Sequence, residues 1–154
     1  MIEEISEPTP SQNEVVIEVK AFGLNHAEIY FRKGIWGEVA KVSGIECVGV
    51  VKADPSGTFP KSQKVLALMG GMGRSFNGSY AQYTRVPLSN VVAINTNLPW
   101  AEFAALPESY ATAWTCLTRN LGLKSGQTIL VRGATSALGQ AAVNIGAGLI
   151  GQIH

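Results

Sequence analysis

The sequence predicts a mainly β fold with added helices, in which a small barrel-like β domain precedes a helical segment and one strand–turn–helix unit. Two observations support this prediction. Short β-branched runs separated by Gly, Pro, Asp and Ser recur between residues 14 and 94, which is typical of a small barrel. From residue 99 onward the apolar residues have helical spacing instead.

The composition indicates a globular protein without nucleic-acid or membrane partners. The chain has 154 residues, of which 46% are hydrophobic and 15% charged, and its net charge is +1. This near-neutral balance provides no attraction to nucleic acid or to anionic membranes. The acidic N-terminus is unlike a secretory signal, and the apolar stretch Ala137–Ile150 is too short and too interrupted to span a bilayer. We therefore expect a cytoplasmic protein.

The β domain is expected to begin with a strand and a capped helix. The β-branched residues of Val15–Ala21 predict the strand. In the next segment Asn25 is a suitable N-cap, Glu28 stands three residues later as its capping-box partner, and Gly34 is positioned to end the helix. Further strands are predicted at Ile45–Val51, Val65–Leu68, Ser79–Pro87 and Val91–Ile94.

The second half of the chain contains the pattern of a nucleotide-binding unit. Helical spacing covers Pro99–Leu106 and Glu108–Leu121, and Pro107 separates the two helices. The stretch Gly126–Gly139 then predicts a turn, a short buried strand at Ile129–Val131, a small-residue loop and the start of a helix. In such an arrangement the backbone amides at the helix N-terminus can hold a pyrophosphate.

Five sequence blocks together resemble the medium-chain dehydrogenase/reductase superfamily, specifically its zinc-free quinone oxidoreductase branch. The blocks are Glu14–Asn25, Ser43–Val51, Gly78–Tyr83, Leu106–Trp114 and Gly133–Gly139. They follow the family's order and spacing. The resemblance implies a GroES-like β-barrel catalytic domain at residues 1–105. Residues 106–154 are then expected to form a connector helix and the first strand–helix unit of an incomplete Rossmann domain, with the chain truncated at both ends relative to the family.

The resemblance also implies an acceptor site in the first domain. It places Asn25, Tyr30 and Trp36 around the carbonyl or quinone ring of a small-molecule acceptor. An amide and a phenol can donate hydrogen bonds to a carbonyl oxygen, and an aromatic face can stack on a quinone. For Asn25, helix capping alone is an equally good explanation, and the two roles are compatible.

A cofactor site is implied for the second domain, with NADP(H) as the cofactor usual in this branch. The matching residues are Thr112, Gly133, Ala134, Thr135, Ser136, Ala137, Leu138 and Gly139. Gly133 permits the tight turn and Gly139 permits close packing, whereas the hydroxyls of Thr135 or Ser136 could contact a phosphate. A strict G-x-G-x-x-G is absent, so an ordinary strand-to-helix turn is a serious alternative. The preference for NADP over NAD rests on the resemblance alone.

No metal site is expected. By the resemblance, a zinc-dependent relative has Cys at the position of Asn25 and His at the position of Ile45, and neither residue here replaces them as a ligand. The structural zinc lobe of such relatives needs four closely spaced cysteines. Only Cys47 and Cys116 are present, and both lie in apolar segments, which predicts buried reduced thiols.

The implied function is zinc-independent, NADPH-dependent reduction of quinones or enones by hydride transfer. We expect the 154-residue chain on its own to be weakly active or inactive, because most of the cofactor domain is missing by comparison with the family. One alternative is a non-enzymatic GroES-like remnant that pairs as a homodimer through the strand at Ile129–Val131. A zinc-type alcohol dehydrogenase is the second alternative.

Overall fold

The computed structural model describes residues 2–150, and the contacts within it divide the chain into two compact units, residues 1–105 and 106–154. The first unit contains a curled antiparallel sheet that forms half of a barrel. Its strands are β1 (Glu14–Ala21), β2 (Glu46–Ala53), β3 (Lys64–Leu68), β4 (Tyr83–Pro87) and β5 (Val91–Ala93). Helix α1 (His26–Arg32) connects β1 to β2, and helix α2 (Trp100–Ala104) ends the unit. The predicted β-dominated, GroES-like fold class is confirmed.

The sheet has the strand order β4-β1-β2-β3-β5, and every neighbouring pair is antiparallel. The longest strands, β1 and β2, are therefore central. Their inward side chains form an apolar core with Met72 and residues of the other three strands. The buried core consists of Val15, Ile17, Cys47, Val51, Val65, Ala67, Met72, Val86 and Val91. The β-branched runs that predict the strands thus also supply the core.

Strand β4 begins later than predicted, at Tyr83 rather than at Ser79. The preceding residues use their backbone groups elsewhere, because the N–H groups of Gly78, Ser79 and Tyr80 donate to the carbonyls of residues 42–44. Three glycines allow this approach. A Cβ atom on Gly44, Gly73 or Gly78 would lie 2.1–2.9 Å from its nearest neighbouring atom. The sequence pattern marks the alternation correctly but does not reveal this second partner.

The second unit is helical. It contains α3 (Pro107–Trp114), a π-helical continuation over Thr115–Asn120, and α4 (Ala137–Ile150). The predicted strand at Ile129–Val131 is wrong: these residues lie in irregular backbone, and Leu130 is 97% exposed. A strand is defined by a hydrogen-bonded neighbour, and none of the described residues pairs with this segment. Within residues 2–150, no helix has the length and apolarity that crossing a membrane requires.

The two cysteines differ in environment. Cys47 is fully buried in β2, as predicted, and burial raises the pKa of its thiol to about 12. Cys116 is exposed, so the prediction that it is buried is wrong. It lies in the π-helical turn, where a helical spacing of apolar residues does not determine which side chain faces inward. Both thiols are free.

Candidate functional site

The carboxylate of Glu28 organises the first unit around the start of α1. Asn25 and Glu28 form the predicted capping box, in which Oε2 of Glu28 accepts the N–H of Asn25 at 2.6 Å. Its Oε1 accepts the N–H of Ile45 at 3.0 Å, at the entrance to β2. Gly34, at φ +68°, follows the C-cap and ends the helix as predicted. Glu28 is only 6% exposed, so this one side chain links a helix N-terminus to the central sheet.

Tyr80 provides a third donor to Glu28. Its hydroxyl donates to Oε2 of the carboxylate at 2.6 Å, across 52 positions of sequence. Burial and the hydrogen bond to the Glu28 carboxylate raise the pKa of the Tyr80 hydroxyl well above its usual range. The ring of Tyr80 also contacts that of Phe22, with centroids 4.5 Å apart. Tyr80 therefore remains protonated and acts as a fixed hydrogen-bond donor.

The side chain of Asn25 is oriented by a second buried carboxylate. Its Nδ2 donates to Oε1 of Glu46 at 2.9 Å, and Glu46 is 4% exposed. An amide nitrogen carries two hydrogens, and among the described residues the structure shows an acceptor for one of them. The helix-capping role of Asn25 is confirmed. Its role toward an acceptor stays a prediction.

Tyr30 and Trp36 form an exposed aromatic pair. Their ring centroids lie 6.1 Å apart with an interplanar angle of 28°, and the side chains are 42% and 47% exposed. The buried Phe31 packs edge-on against Trp36, at 5.6 Å between centroids, and anchors it. Among the described residues, Asn25 makes no hydrogen bond or ring contact with either member of the pair. The structure thus brings two of the three predicted acceptor residues together.

The loop before α4 is a tight turn held by two glycines and a serine. Gly133 has φ +77°, and a Cβ on Gly139 would lie 2.2 Å from the carbonyl oxygen of Gly133, so both glycines are required. The Ser136 hydroxyl donates to that carbonyl at 2.8 Å and accepts the N–H of Gly139 at 3.0 Å. It therefore caps α4 and is committed within the loop. The N–H groups of Ala137 and Leu138 begin the helix, where no carbonyl one turn earlier accepts them.

The remaining predicted cofactor residues lie in α3 and the same loop. The hydroxyl of Thr112 donates to Oε1 of Glu108, one helical turn earlier, at 2.7 Å. Ala134 and Thr135 are exposed in the loop, and the Thr135 carbonyl accepts a hydrogen bond from Gln140 at 3.0 Å. The assignment of these residues to a cofactor stays a prediction. The Ser136 hydroxyl is engaged by Gly133 and Gly139, so the groups of this loop that remain are its backbone amides.

In the part of the chain that the structure describes, the side chains that could bind a metal do not cluster. Within residues 2–150, no three His, Cys, Asp or Glu side chains lie close enough together to hold a metal ion. Glu28, Glu46 and Asn25 meet at the start of α1 through hydrogen bonds instead. The absence of a zinc requirement stays a prediction.

Residues 11–96 match the model of the alcohol dehydrogenase GroES-like domain family. The chain belongs to this family. Relatives of this GroES-like chain include human quinone oxidoreductase, which is 29% identical over 147 residues, covering 92% of this chain and 43% of the relative. Mouse synaptic vesicle membrane protein VAT-1 homolog-like is 31% identical over 143 residues, covering 90% of this chain and 33% of the relative.

A solved structure supports the same relationship. Quinone oxidoreductase from Thermus thermophilus, solved also in complex with NADPH, superposes with a TM-score of 0.74 at 30% identity, covering 96% of this chain and 45% of that one. The predicted similarity to quinone oxidoreductases of the medium-chain superfamily is therefore confirmed. The GroES-like chain spans less than half the length of each of these three relatives.

Three residues of this site were not assigned a role in it by sequence reasoning. Tyr80 and Glu46 lie in blocks that carry the resemblance, but their contacts join segments that are distant in sequence. Arg74 lies in a glycine-rich segment without a recognisable motif, and its guanidinium stands 5.9 Å from the ring centroid of Trp36. For Tyr80 and Glu46, the local sequence shows no more than a polar side chain near the start of a predicted strand.

Proposed function

We propose that the GroES-like unit carries the acceptor side of a zinc-independent, NADPH-dependent reductase of quinones or enones. The observation that supports it best is the exposed Tyr30–Trp36 pair, anchored on the buried Phe31. An open pair of flat rings on a rigid support is suited to stacking with a planar acceptor. The similarity to quinone oxidoreductases, one of them solved with NADPH, supports the reaction class and the cofactor.

In this proposal the polar groups of the chain hold the acceptor carbonyl. The hydroxyl of Tyr30 would donate to its oxygen, the second N–H of Asn25 would be a further donor, and Trp36 would provide a face for its ring. NADPH, when bound, supplies the hydride. As negative charge develops on the acceptor oxygen, both donors strengthen their hydrogen bonds to it, and the Glu46 carboxylate keeps the Asn25 amide in its orientation.

The cofactor side of the proposal rests on the loop Gly133–Gly139. The N–H groups of Ala137 and Leu138 would hold a phosphate at the N-terminus of α4, and Thr112 would lie near the nicotinamide amide. We propose that the 154-residue chain alone binds the cofactor weakly and has little or no activity. The loop follows the segment Ile129–Val131, which has no strand partner among the described residues and so gives the loop little support.

The test separates acceptor binding from turnover. Titration with duroquinone, a fully methylated quinone that resists thiol addition, is followed by calorimetry. We expect Trp36→Ala to weaken binding about tenfold because the stacking face is lost. Tyr30→Phe should weaken it about threefold, since only one hydrogen bond is removed. Trp114→Ala removes an equally exposed indole, 50% accessible, and should have no effect. Equal affinity of wild type and Trp36→Ala would refute the acceptor site.

Turnover is measured by NADPH oxidation at 340 nm, and elemental analysis of the same sample reports zinc. Little or no turnover with less than about 0.1 zinc per chain is expected from the ligand set. Rapid turnover would contradict the proposed weakness of the isolated chain, and stoichiometric zinc would favour the alcohol dehydrogenase alternative. The two free cysteines, one of them exposed, are compatible with a reducing compartment, so a cytoplasmic location is part of the proposal.

One observation favours the second candidate, a non-enzymatic protein that assembles as a homodimer. Leu130 is 97% exposed within the unpaired segment Ile129–Val131, and two such segments could pair as edge strands. Light scattering should then give the mass of a dimer, and Ile129→Lys should give the monomer. A wild-type protein that is monomeric at all concentrations excludes this candidate.

A further inference from the structure

Arg74 places a positive charge at the edge of the Tyr30–Trp36 pair. Its guanidinium lies over the indole of Trp36, 5.9 Å from the ring centroid. At this distance, near the outer limit of a cation–π interaction, the ring does not occupy the N–H donors of the guanidinium. Within the described residues Arg74 makes no ion pair with a carboxylate. Its charge is therefore available to a ligand.

The segment that carries Arg74 is held firmly. Its neighbour Met72 is 1% exposed and belongs to the core, and the N–H of Arg74 donates to the carbonyl of Gly71 at 2.9 Å. Gly73, at φ +72°, packs directly on the backbone of Gly44. A residue between a buried side chain and a backbone contact keeps its backbone position, so the point from which the Arg74 side chain extends is fixed.

An open depression lies beside Arg74. It has a volume of about 440 Å³ and is lined by Glu38, Val39, Ala40, Arg74 and Ser75. Arg74 and Glu38 are its charged residues, and their side chains do not form an ion pair. The depression therefore has a positive and a negative wall, and the positive one, Arg74, is near Trp36. A ligand that stacks on Trp36 brings a substituent on its ring within reach of Arg74.

We propose that Arg74 is a specificity-determining residue that selects acceptors bearing a carboxylate next to the reducible ring or enone. This inference rests on the proposed function, because the acceptor must stack on the Tyr30–Trp36 pair. The planar guanidinium matches a carboxylate through two parallel hydrogen bonds, which an ammonium group cannot reproduce. Glu38 opposes the same ligand and limits the gain.

The experiment compares two ligands that differ only in charge. The first ligand is trimethyl-1,4-benzoquinone with a carboxylate on the one ring carbon that bears neither oxygen nor methyl. It is compared with the corresponding carboxamide by calorimetry at low salt. We expect the carboxylate to bind roughly two- to fivefold more tightly to the wild type, as an ion pair at an exposed site allows. Arg74→Gln should abolish the preference, Arg74→Lys should keep part of it, and Glu38→Gln should increase it. Lys61→Gln removes one charge in the turn between β2 and β3 and should leave the preference unchanged.

The outcomes distinguish this inference from the proposed function. If the carboxamide binds and the carboxylate binds no better, the acceptor site stands and the role of Arg74 is refuted. A preference that survives in Arg74→Gln, or that falls equally in Lys61→Gln, also refutes it, since the net charge of the chain would then be the cause. If neither ligand binds, both the proposed acceptor site and the inference fail.

Discussion

The start of α1 and the loop before α4 both contain a helix N-terminus. Contacts from distant segments stabilise the first, and local contacts stabilise the second. At the first, the 6% exposed carboxylate of Glu28 accepts two backbone N–H groups and a tyrosine hydroxyl, and all of them belong to one packed unit. At the second, Ser136 caps α4 with its own hydroxyl, and the loop is exposed from residue 132 to residue 138. Side chains from distant segments thus fix the first site, whereas a local serine cap and glycine geometry fix the second.

This difference indicates whether each site is ordered in the absence of a ligand. A buried carboxylate with several donors keeps its geometry whether or not a ligand is present, because moving it would leave those donors unsatisfied. An exposed loop has only its local hydrogen bonds to resist fraying. We therefore expect the acceptor side to be formed in this chain and the cofactor side to become ordered mainly when bound.

The cysteines give the largest expected contrast between the two regions. Burial raises the pKa of Cys47 to about 12, so its thiol stays protonated at pH 8, and its side chain is inaccessible. Cys116 is exposed. A thiol-reactive chromophore should therefore modify one cysteine per chain rapidly under native conditions and two in urea. Cys116→Ser should abolish the rapid reaction, and rapid labelling of Cys47 would show that the first unit opens readily.

Removal of the Glu28 carboxylate tests the buried site directly. Glu28→Ala leaves the N–H groups of Asn25 and Ile45 and the hydroxyl of Tyr80 without their acceptor, at a cost of about 3 kcal/mol in the free energy of unfolding. Urea denaturation measures this loss. Glu102→Gln, on the exposed surface of α2, is the matched control and should change stability by less than about 0.5 kcal/mol. Equal effects of the two variants would contradict the role given to Glu28.

Two helical glycines test the backbone geometry of the loop. A Cβ on Gly139 would lie 2.2 Å from the Gly133 carbonyl oxygen, so Gly139→Ala should destabilise the start of α4 by about 1–2 kcal/mol. Gly148 lies in the same helix with nothing within 4 Å of the added atom, so Gly148→Ala should stabilise it by about 0.5–1 kcal/mol. Hydrogen exchange of α4 measures both. The same sign for both variants would argue against the tight turn.

The smallest expected effect is the alkaline loss of stability linked to Tyr80. Its pKa is higher in the folded than in the unfolded chain, so its contribution to stability is fully present below about pH 10, the unfolded value. The contribution is lost as the pH rises from there through the folded value. Urea midpoints measured from pH 8 to 11 should therefore fall more steeply for the wild type than for Tyr80→Phe. Parallel curves would show that the hydrogen bond from Tyr80 to Glu28 does not contribute to this pH dependence.

Local chemistry explains which parts of the fold could be predicted. The strands over residues 14–21 and 46–53 and the helix capped by Asn25 follow from β-branched runs and a capping box, both of which are local. The strand predicted at Ile129–Val131 has an equally good local pattern. It is absent because a strand also needs a neighbour, and no described residue provides one.

The site could be predicted only in part for a related reason. The family resemblance indicates Tyr30 and Trp36, and the structure brings them together. The bond between Tyr80 and Glu28 spans 52 positions, and the contact between Arg74 and Trp36 joins two loops. Such contacts form only when the tertiary fold brings distant segments together, so no local sequence pattern reveals them.

The backbone contact among Gly44, Gly73 and Gly78 has a consequence for how the protein can evolve. None of the three positions has room for a side chain, so a saturation mutational scan should tolerate almost nothing there. Position 74, directly beside this contact, is exposed, and the fold should tolerate most side chains there. The backbone position of residue 74 is therefore conserved by the fold, whereas the type of side chain at this position can change. Descendants could exchange one class of small molecule for another without rebuilding the domain.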